Sequence, residues 1–207
     1  MADLIASRTV LLETRQDRTV VEEGHRFLDE KRTLIARELL LRSKAYGARM
    51  AARAEAEQRA RTLLRSAVRR HGLEGLQLHP VSLVTFAEEA SGSFSFLGVR
   101  LVDEDPIPIP PEFPASPVAS SPSPEARACA RAWAALLREA RADALAAANL
   151  LRLRDEYRRT ERRVRALENV ILPEIRADQR RIEELLEEYD QDETVRMHLF
   201  SGEAVRR

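Results

Sequence analysis

The stretch Arg162-Arg-Val-Arg-Ala-Leu-Glu-Asn-Val-Ile-Leu-Pro-Glu-Ile175 reads as helix on both sides of Pro173. A proline inside a helix removes one backbone hydrogen bond and clashes with the preceding turn, at a cost of about 3 kcal/mol. The helical pattern nevertheless runs from about residue 125 to 200. Its inward series is Leu150, Leu153, Tyr157, Thr160, Val164, Leu167, Ile171, Ile175, Asp178, Ile182, Leu185 and Tyr189. The gaps alternate between 3 and 4, except for two successive 4s around Ile171. Such a stutter locally unwinds a left-handed supercoil. It brackets Pro173, so a kink or phase change in a coiled coil is expected at that point.

Outward from there, the chain divides into three parts. Residues 1–70 form a first helix, free of proline and with only Gly24 and Gly47 as glycines. Its apolar doublets Val20-Val21, Phe27-Leu28, Leu34-Ile35 and Leu40-Leu41 recur close to every seven residues, which predicts a stripe facing a partner helix. Residues 71–124 form an insert. His71-Gly72 ends the first helix, and two strands are expected at 76–86 and 94–102, with Pro80 placing the first at an edge. A linker follows in which eight of the 10 prolines lie between Pro106 and Pro124. Residues 125–207 return to helix, with Ser123 as cap and Pro124 at the first helical position. Two long helices flanking a small insert close most simply as an all-α-dominated antiparallel two-helix coiled coil, with a β-hairpin and a proline-rich linker between. The two chain ends then share one tip, and the insert lies toward the other.

Composition supports this frame. Aromatics are 5% and glycines number 7, which argues against a large globular core, and charged residues reach 33%. Lys+Arg and Asp+Glu are both 34, so bulk electrostatic binding to nucleic acid is disfavoured. Cys129 is the single cysteine, leaving no intrachain disulfide or thiolate cluster. No apolar run approaches a membrane span and no signal-peptide layout is present, so a cytoplasmic chain without direct membrane insertion is expected. The two lysines, Lys31 and Lys44, lie on helix and outside any phosphate loop. His71 and His79 lack a third metal ligand. Neither a catalytic constellation nor a cofactor site emerges, and the expectation is a chain that is not an enzyme.

Charge placement is more informative. Residues 152–165 hold seven arginines, and residues 183–193 hold seven acids. Solubility and local ion pairs are one account of these bands. Charged partner surfaces met through weak, exchangeable pairs are the other.

The 162–197 stretch resembles the C-terminal helix of the D subunit, the central rotor stalk, of V/A-type rotary ATPases. Arg162, Arg163, Val164, Ala166, Leu167, Glu168, Val170, Ile171, Pro173 and Ile175 match its pattern. The opening helix is similar to the family's N-terminal helix at Leu11-Leu12, Arg15, Gly24, Leu28, Lys31-Arg32, Leu34 and Glu38. Arg165 stands where the family usually has asparagine, and Met197-His198 replaces its common Leu-Lys. The resemblance implies a non-catalytic shaft, peripheral to the membrane within an ATPase complex. It implies A and B type catalytic-head subunits, the small F subunit of the stalk and a funnel-shaped subunit toward the membrane rotor as partners. Head contact would then fall to Arg8, Arg15, Lys31, Arg32, Arg162, Arg163, Arg165, Glu168 and Arg176, with Pro173 setting curvature. Residues 45–70 and 125–150 would face the F subunit. The competing reading is a coiled-coil stalk or adaptor of a secretion-type ATPase complex.

Overall fold

A computed structural model describes residues 7–77, 92–104 and 123–204, with side chains through residue 198. Helix α1 spans Arg8–Gln77, strands β1 and β2 span Ser93–Phe96 and Val99–Val102, and helix α2 spans Pro124–Ala166. One π-helical turn, Leu167–Ile171, joins α2 to helix α3, Leu172–Ala204. The elements divide into two compact units, residues 1–34 with 157–207, and residues 35–156.

In the first unit the start of α1 runs antiparallel to the end of α2 and to α3. Ion pairs fix the register: Arg8 with Asp190 at 3.4 Å, Arg15 with Glu183 at 2.7 Å, and Arg176 with Glu22 at 3.1 Å. The inward positions of α1 are Thr14, Arg18, Val21, His25 and Leu28, a regular alternation of 4 and 3. Of the first two apolar doublets, Val21 and Leu28 turn inward while Val20 and Phe27 stay 61% and 66% exposed. The seam across from them runs through Thr160, Val164, Leu172 and Ile182, all buried.

The proline region differs from expectation in one respect. Leu172, not Ile171, is the buried residue, at 7% against 36% exposure. The π-helical turn is the reason. The Leu172 N–H donates to the Leu167 carbonyl, five residues back rather than four. The extra residue held in that wide turn rotates the following helix, so the seam steps from Leu167 to Leu172 and then to Ile175. The expected doubled gap of 4 is realised as 5 followed by 3. Asp178 is accordingly exposed and Gln179 half-buried, and Tyr189 is 62% exposed rather than in the seam.

In the second unit the remainder of α1 pairs antiparallel with α2, as Arg70 with Glu125 at 2.6 Å and Arg49 with Asp143 at 3.2 Å show. Ile35, Ala60 and Ala67 of α1 and Leu136, Ala142, Ala146 and Leu153 of α2 form the buried layer. Ser123 caps α2, accepting from the Ala126 N–H at 3.3 Å, and Pro124 is its first residue. Gly72, with φ 68 and ψ 170, breaks the helical backbone of α1 where the sequence places its end. Left-handed φ is available to glycine without a Cβ clash.

The hairpin is smaller than expected. Both strands lie within the second predicted stretch, 94–102, extended by Ser93 and joined by Leu97-Gly98 with φ 50 and 84. Positive φ at both central residues matches the strand twist, which is why such two-residue turns close hairpins. Of the first predicted strand, residues 76 and 77 are helical and the remainder, with Pro80, lies outside the described residues. The proline-rich linker at 105–122 lies outside them as well.

Candidate functional site

The nine candidates for contact with a catalytic head all lie in the first unit. The structure sorts them by whether their charge is already used. Arg8, Arg15 and Arg176 bind Asp190, Glu183 and Glu22 across the helix pair. Arg32 binds Asp29 at 2.6 Å, and Arg165 binds Glu161 at 2.7 Å, each within its own helix. Lys31 is also engaged. Glu168 lies exposed in the π-helical turn, as does Asn169 beside it, whereas Leu167 is half-buried. Arg162 and Arg163 are exposed and, among the described residues, form neither an ion pair nor a hydrogen bond; the same holds for Arg158 and Arg159 one turn earlier.

Those four arginines share one helix face. Residues 158 and 162, 159 and 163, and 159 and 162 are helical neighbours, and like charges so placed destabilise by roughly 0.2–0.5 kcal/mol per pair. Glu161 is turned to Arg165 and offers them nothing. Self-repulsion is thus retained on an exposed face while nearby arginines are neutralised.

Pro173 follows the π-helical turn directly. A proline ring collides with the carbonyl four residues back, here Asn169 inside the widened turn. The ladder already departs from four-residue spacing there, so the proline falls where its missing N–H disturbs least. None of the residues 167–171 is buried, and Val170 is 49% exposed.

Two carboxylates that pair the helices titrate below their ordinary range. Glu183 is held below its ordinary value of 4.5 by hydrogen bonds from Arg15 and then Gln179, reinforced by the charges of Arg15 and Arg18. Glu125 is lowered by the Ser123 hydroxyl first, then by its own backbone N–H and by Arg70. Burial pushes the Cys129 thiol up, which makes it a poor nucleophile.

A polar node in the second unit adds to the sequence-based expectation. Asn149, fully buried, donates to the Val102 carbonyl at 2.7 Å and accepts from the Val102 N–H at 2.9 Å. Its amide thereby stands in for a third strand along β2. Glu104 receives Arg42 at 2.9 Å, Arg49 at 3.0 Å and Asn149 at 3.0 Å. Asp143, 3% exposed, pairs with Arg49 at 3.2 Å and lies 3.6 Å from Arg53. The node clamps the hairpin alongside the helices, well along α2 from its start, rather than toward the helix ends. A sequence signal for it exists: Arg42, Arg49, Asp143 and Asn149 occupy inward helical phases among alanines. Ala60, Ala67, Ala142 and Ala146, which fall within the segments expected to face the F subunit, are buried within this unit.

Among the described residues no group of three or more metal-ligating side chains occurs, and no helix is long and apolar enough to cross a membrane.

The chain is similar to the D subunit of the V-type ATP synthase of Anaeromyxobacter sp. (strain Fw109-5), 31% identical over 210 residues that cover 97% of this chain and 94% of that protein. The corresponding protein of Anaeromyxobacter dehalogenans (strain 2CP-C) is 29% identical over 208 residues, covering 97% and 96%. The model of the ATP synthase D subunit family matches residues 10–201. That match takes in both helices of each antiparallel pair, the hairpin, and the π-helical turn at Pro173, and the chain accordingly belongs to the ATP synthase D subunit family.

Proposed function

We propose that this chain is the central rotor shaft of a V-type ATPase or ATP synthase, transmitting torque between ATP turnover in a catalytic head and an ion-carrying rotor in the membrane. The chain itself performs no chemistry in this reading. It works in the cytoplasm, peripheral to the membrane, by presenting different faces to A and B type head subunits. Each nucleotide state of the head selects a different shaft orientation, because only differential contact energy shifts such an equilibrium. The small F subunit binds its second unit, and a funnel-shaped subunit links it to the membrane rotor.

The observation that carries the reading is the family match across residues 10–201. The surface supports it. The first unit leaves Leu12, Val20, Phe27 and Leu34 between 48% and 66% exposed, more apolar surface on one helix than a solitary helix pair needs.

The test is co-purification of tagged chain from its native cells, with mass spectrometry of the associated proteins. Recovery of two kinds of nucleotide-binding subunit in about threefold excess over the chain, as three head sites per shaft require, is the expected result. Recovery of secretion-apparatus components instead would transfer the helices to the adaptor reading.

A further inference from the structure

We propose that the π-helical turn Leu167–Ile171 is a rotational switch, which lets α3 occupy two settings about its own axis against the start of α1. Both settings are properties of the first unit alone, independent of the proposed shaft function. Three adjacent pairs in α3, Ile171-Leu172, Asp178-Gln179 and Leu185-Leu186, repeat every seven residues around the shared positions Ile175 and Ile182. The second members give the seam Leu172, Ile175, Gln179, Ile182 and Leu186. This is the observed setting, with Leu172 and Ile182 buried and the other three half-buried. The first members give Ile171, Ile175, Asp178, Ile182 and Leu185, whose gaps of 4, 3, 4 and 3 are as regular as the observed 3, 4, 3 and 4. Leu185 is already half-buried. At about 100° per residue, the two seams lie roughly 60° apart around the helix.

The turn supplies the slack. While it holds a surplus residue, the seam steps from Leu167 to Leu172. Drawn back to α-helical spacing, the seam steps from Leu167 to Ile171, and the surplus becomes a stutter of the coiled coil. None of the residues 167–171 is buried, so no packing within the turn opposes the change. Pro173 has no N–H to lose from the ladder in either setting. Ile171, at 36% exposure, and Leu172, at 7%, exchange places, so apolar area is given up and recovered together.

The inward groups of α1 fit the second setting as well. Arg18 donates from Nη1 to the Gln179 Oε1 at 3.0 Å. Its Nε is buried without a hydrogen bond, 3.8 Å from Glu22, whose carboxylate Arg176 also engages at 3.1 Å. Rotation exchanges Gln179 for Asp178 at that level and brings a carboxylate to the guanidinium fork, a stronger acceptor than an amide. The observed setting is held by Gln179 and Arg15 donating to Glu183 at 2.9 and 2.7 Å, and by Arg176 with Glu22. Largely exposed pairs of this kind are individually weak. Each setting thus offers one apolar residue and one polar set in place of the other's, the balance a two-state element requires. A partner that grips the outer face of α3 selects between them through differential contact.

The test places a thiol probe in the full chain, as Asp178→Cys or Gln179→Cys, and reads maleimide labelling rates. Native Cys129 is buried, and its rate in the probe-free chain is the background. Each probe is compared only with itself across backgrounds, so its own bias cancels. Leu172→Gln removes the apolar residue of the observed setting. It should slow labelling at 178 and speed it at 179, each by about threefold or more. Ile171→Gln, which burdens only the second setting, should change neither rate in that direction. Because Leu172→Gln also removes buried surface, Asp178→Leu is the safer companion: it adds an apolar residue to the second seam and takes nothing from the first. With probes at Gln179→Cys and Ile171→Cys, it should speed labelling at 179 and slow it at 171. Parent-like rates at both probes in the Asp178→Leu chain would overturn the switch, whatever Leu172→Gln does. So would faster labelling at both, which marks a loosened helix pair rather than a turned one. Either result leaves the shaft function standing, since co-purification with head subunits tests that separately.

Discussion

Gly24 lies half-buried in the interior of α1, where a Cβ would meet nothing within 4 Å. Neither a close approach nor a positive φ requires glycine there, so Gly24→Ala should stabilise the chain by about 1 kcal/mol through helix propensity alone. A denaturant midpoint that moves down instead would contradict that account. Asp143 is the opposite case. Its carboxylate is buried beside Arg49 and Arg53, while Arg49 also holds Glu104 and both guanidiniums are about a third exposed. Asp143→Ala should therefore cost about 1–3 kcal/mol, the range for losing a charge-assisted hydrogen bond rather than a fully buried pair, measured by urea unfolding. Titration supplies a third prediction. Glu183 and Glu125 have folded-state pKa values below the ordinary 4.5, so each contributes stability that is present above that value and lost as pH falls through the lowered one. Thermal stability should therefore fall on acidification below about pH 4.5, and Glu183→Gln should flatten the fall. Equal slopes in parent and variant would mean the Arg15 pair does not act on stability.

At the scale of elements, the decisive feature is how one surplus residue is absorbed in the second long helix. The doubled gap in the apolar spacing around Ile171 is legible because periodicity records phase. The device that absorbs it is not, because a diffuse stutter and a localised π-helical turn place Leu167 and Ile175 in the seam equally well. The choice lies in Leu172 and Ile171, adjacent apolar residues that spacing alone does not separate. The hairpin is obscured for a similar reason. Leu-Gly lacks the Asn or Asp that usually announces a two-residue turn, so the whole stretch reads as one strand. Asn149 and Asp143 are hidden by composition, since polar residues in an alanine-rich helix look solvated until their phase is tracked. If the widened turn and Pro173 together set the helix direction, Pro173→Ala should retain helix content yet weaken coupling between ATP turnover and rotation. Single-molecule rotation with ATPase assay reads both, and parent-like coupling would remove the kink from the mechanism.

For the molecule as a whole, folding and assembly draw on different faces of the same helices. In the first unit Val21 and Leu28 are turned toward the chain's own partner helix, whereas Val20, Phe27 and Leu34 repeat every seven residues on a face left exposed. A row with helical period that the chain does not bury contributes little to its own folding, because hydrophobic stabilisation scales with area removed from water. Its contribution is realised only when another surface covers it. Phe27, 66% exposed, gives the sharpest contrast. Phe27→Ser should change the unfolding free energy of the isolated chain by no more than about 0.5 kcal/mol, as surface substitutions generally do. The same substitution should weaken assembly with the head subunits roughly tenfold or more, since burying a phenylalanine is worth about 1.5–3 kcal/mol. Urea unfolding of the free chain and a binding titration with the purified head separate the two effects. A large loss of free-chain stability would show that the row is covered within the chain, and unchanged assembly would show that the head grips the shaft elsewhere.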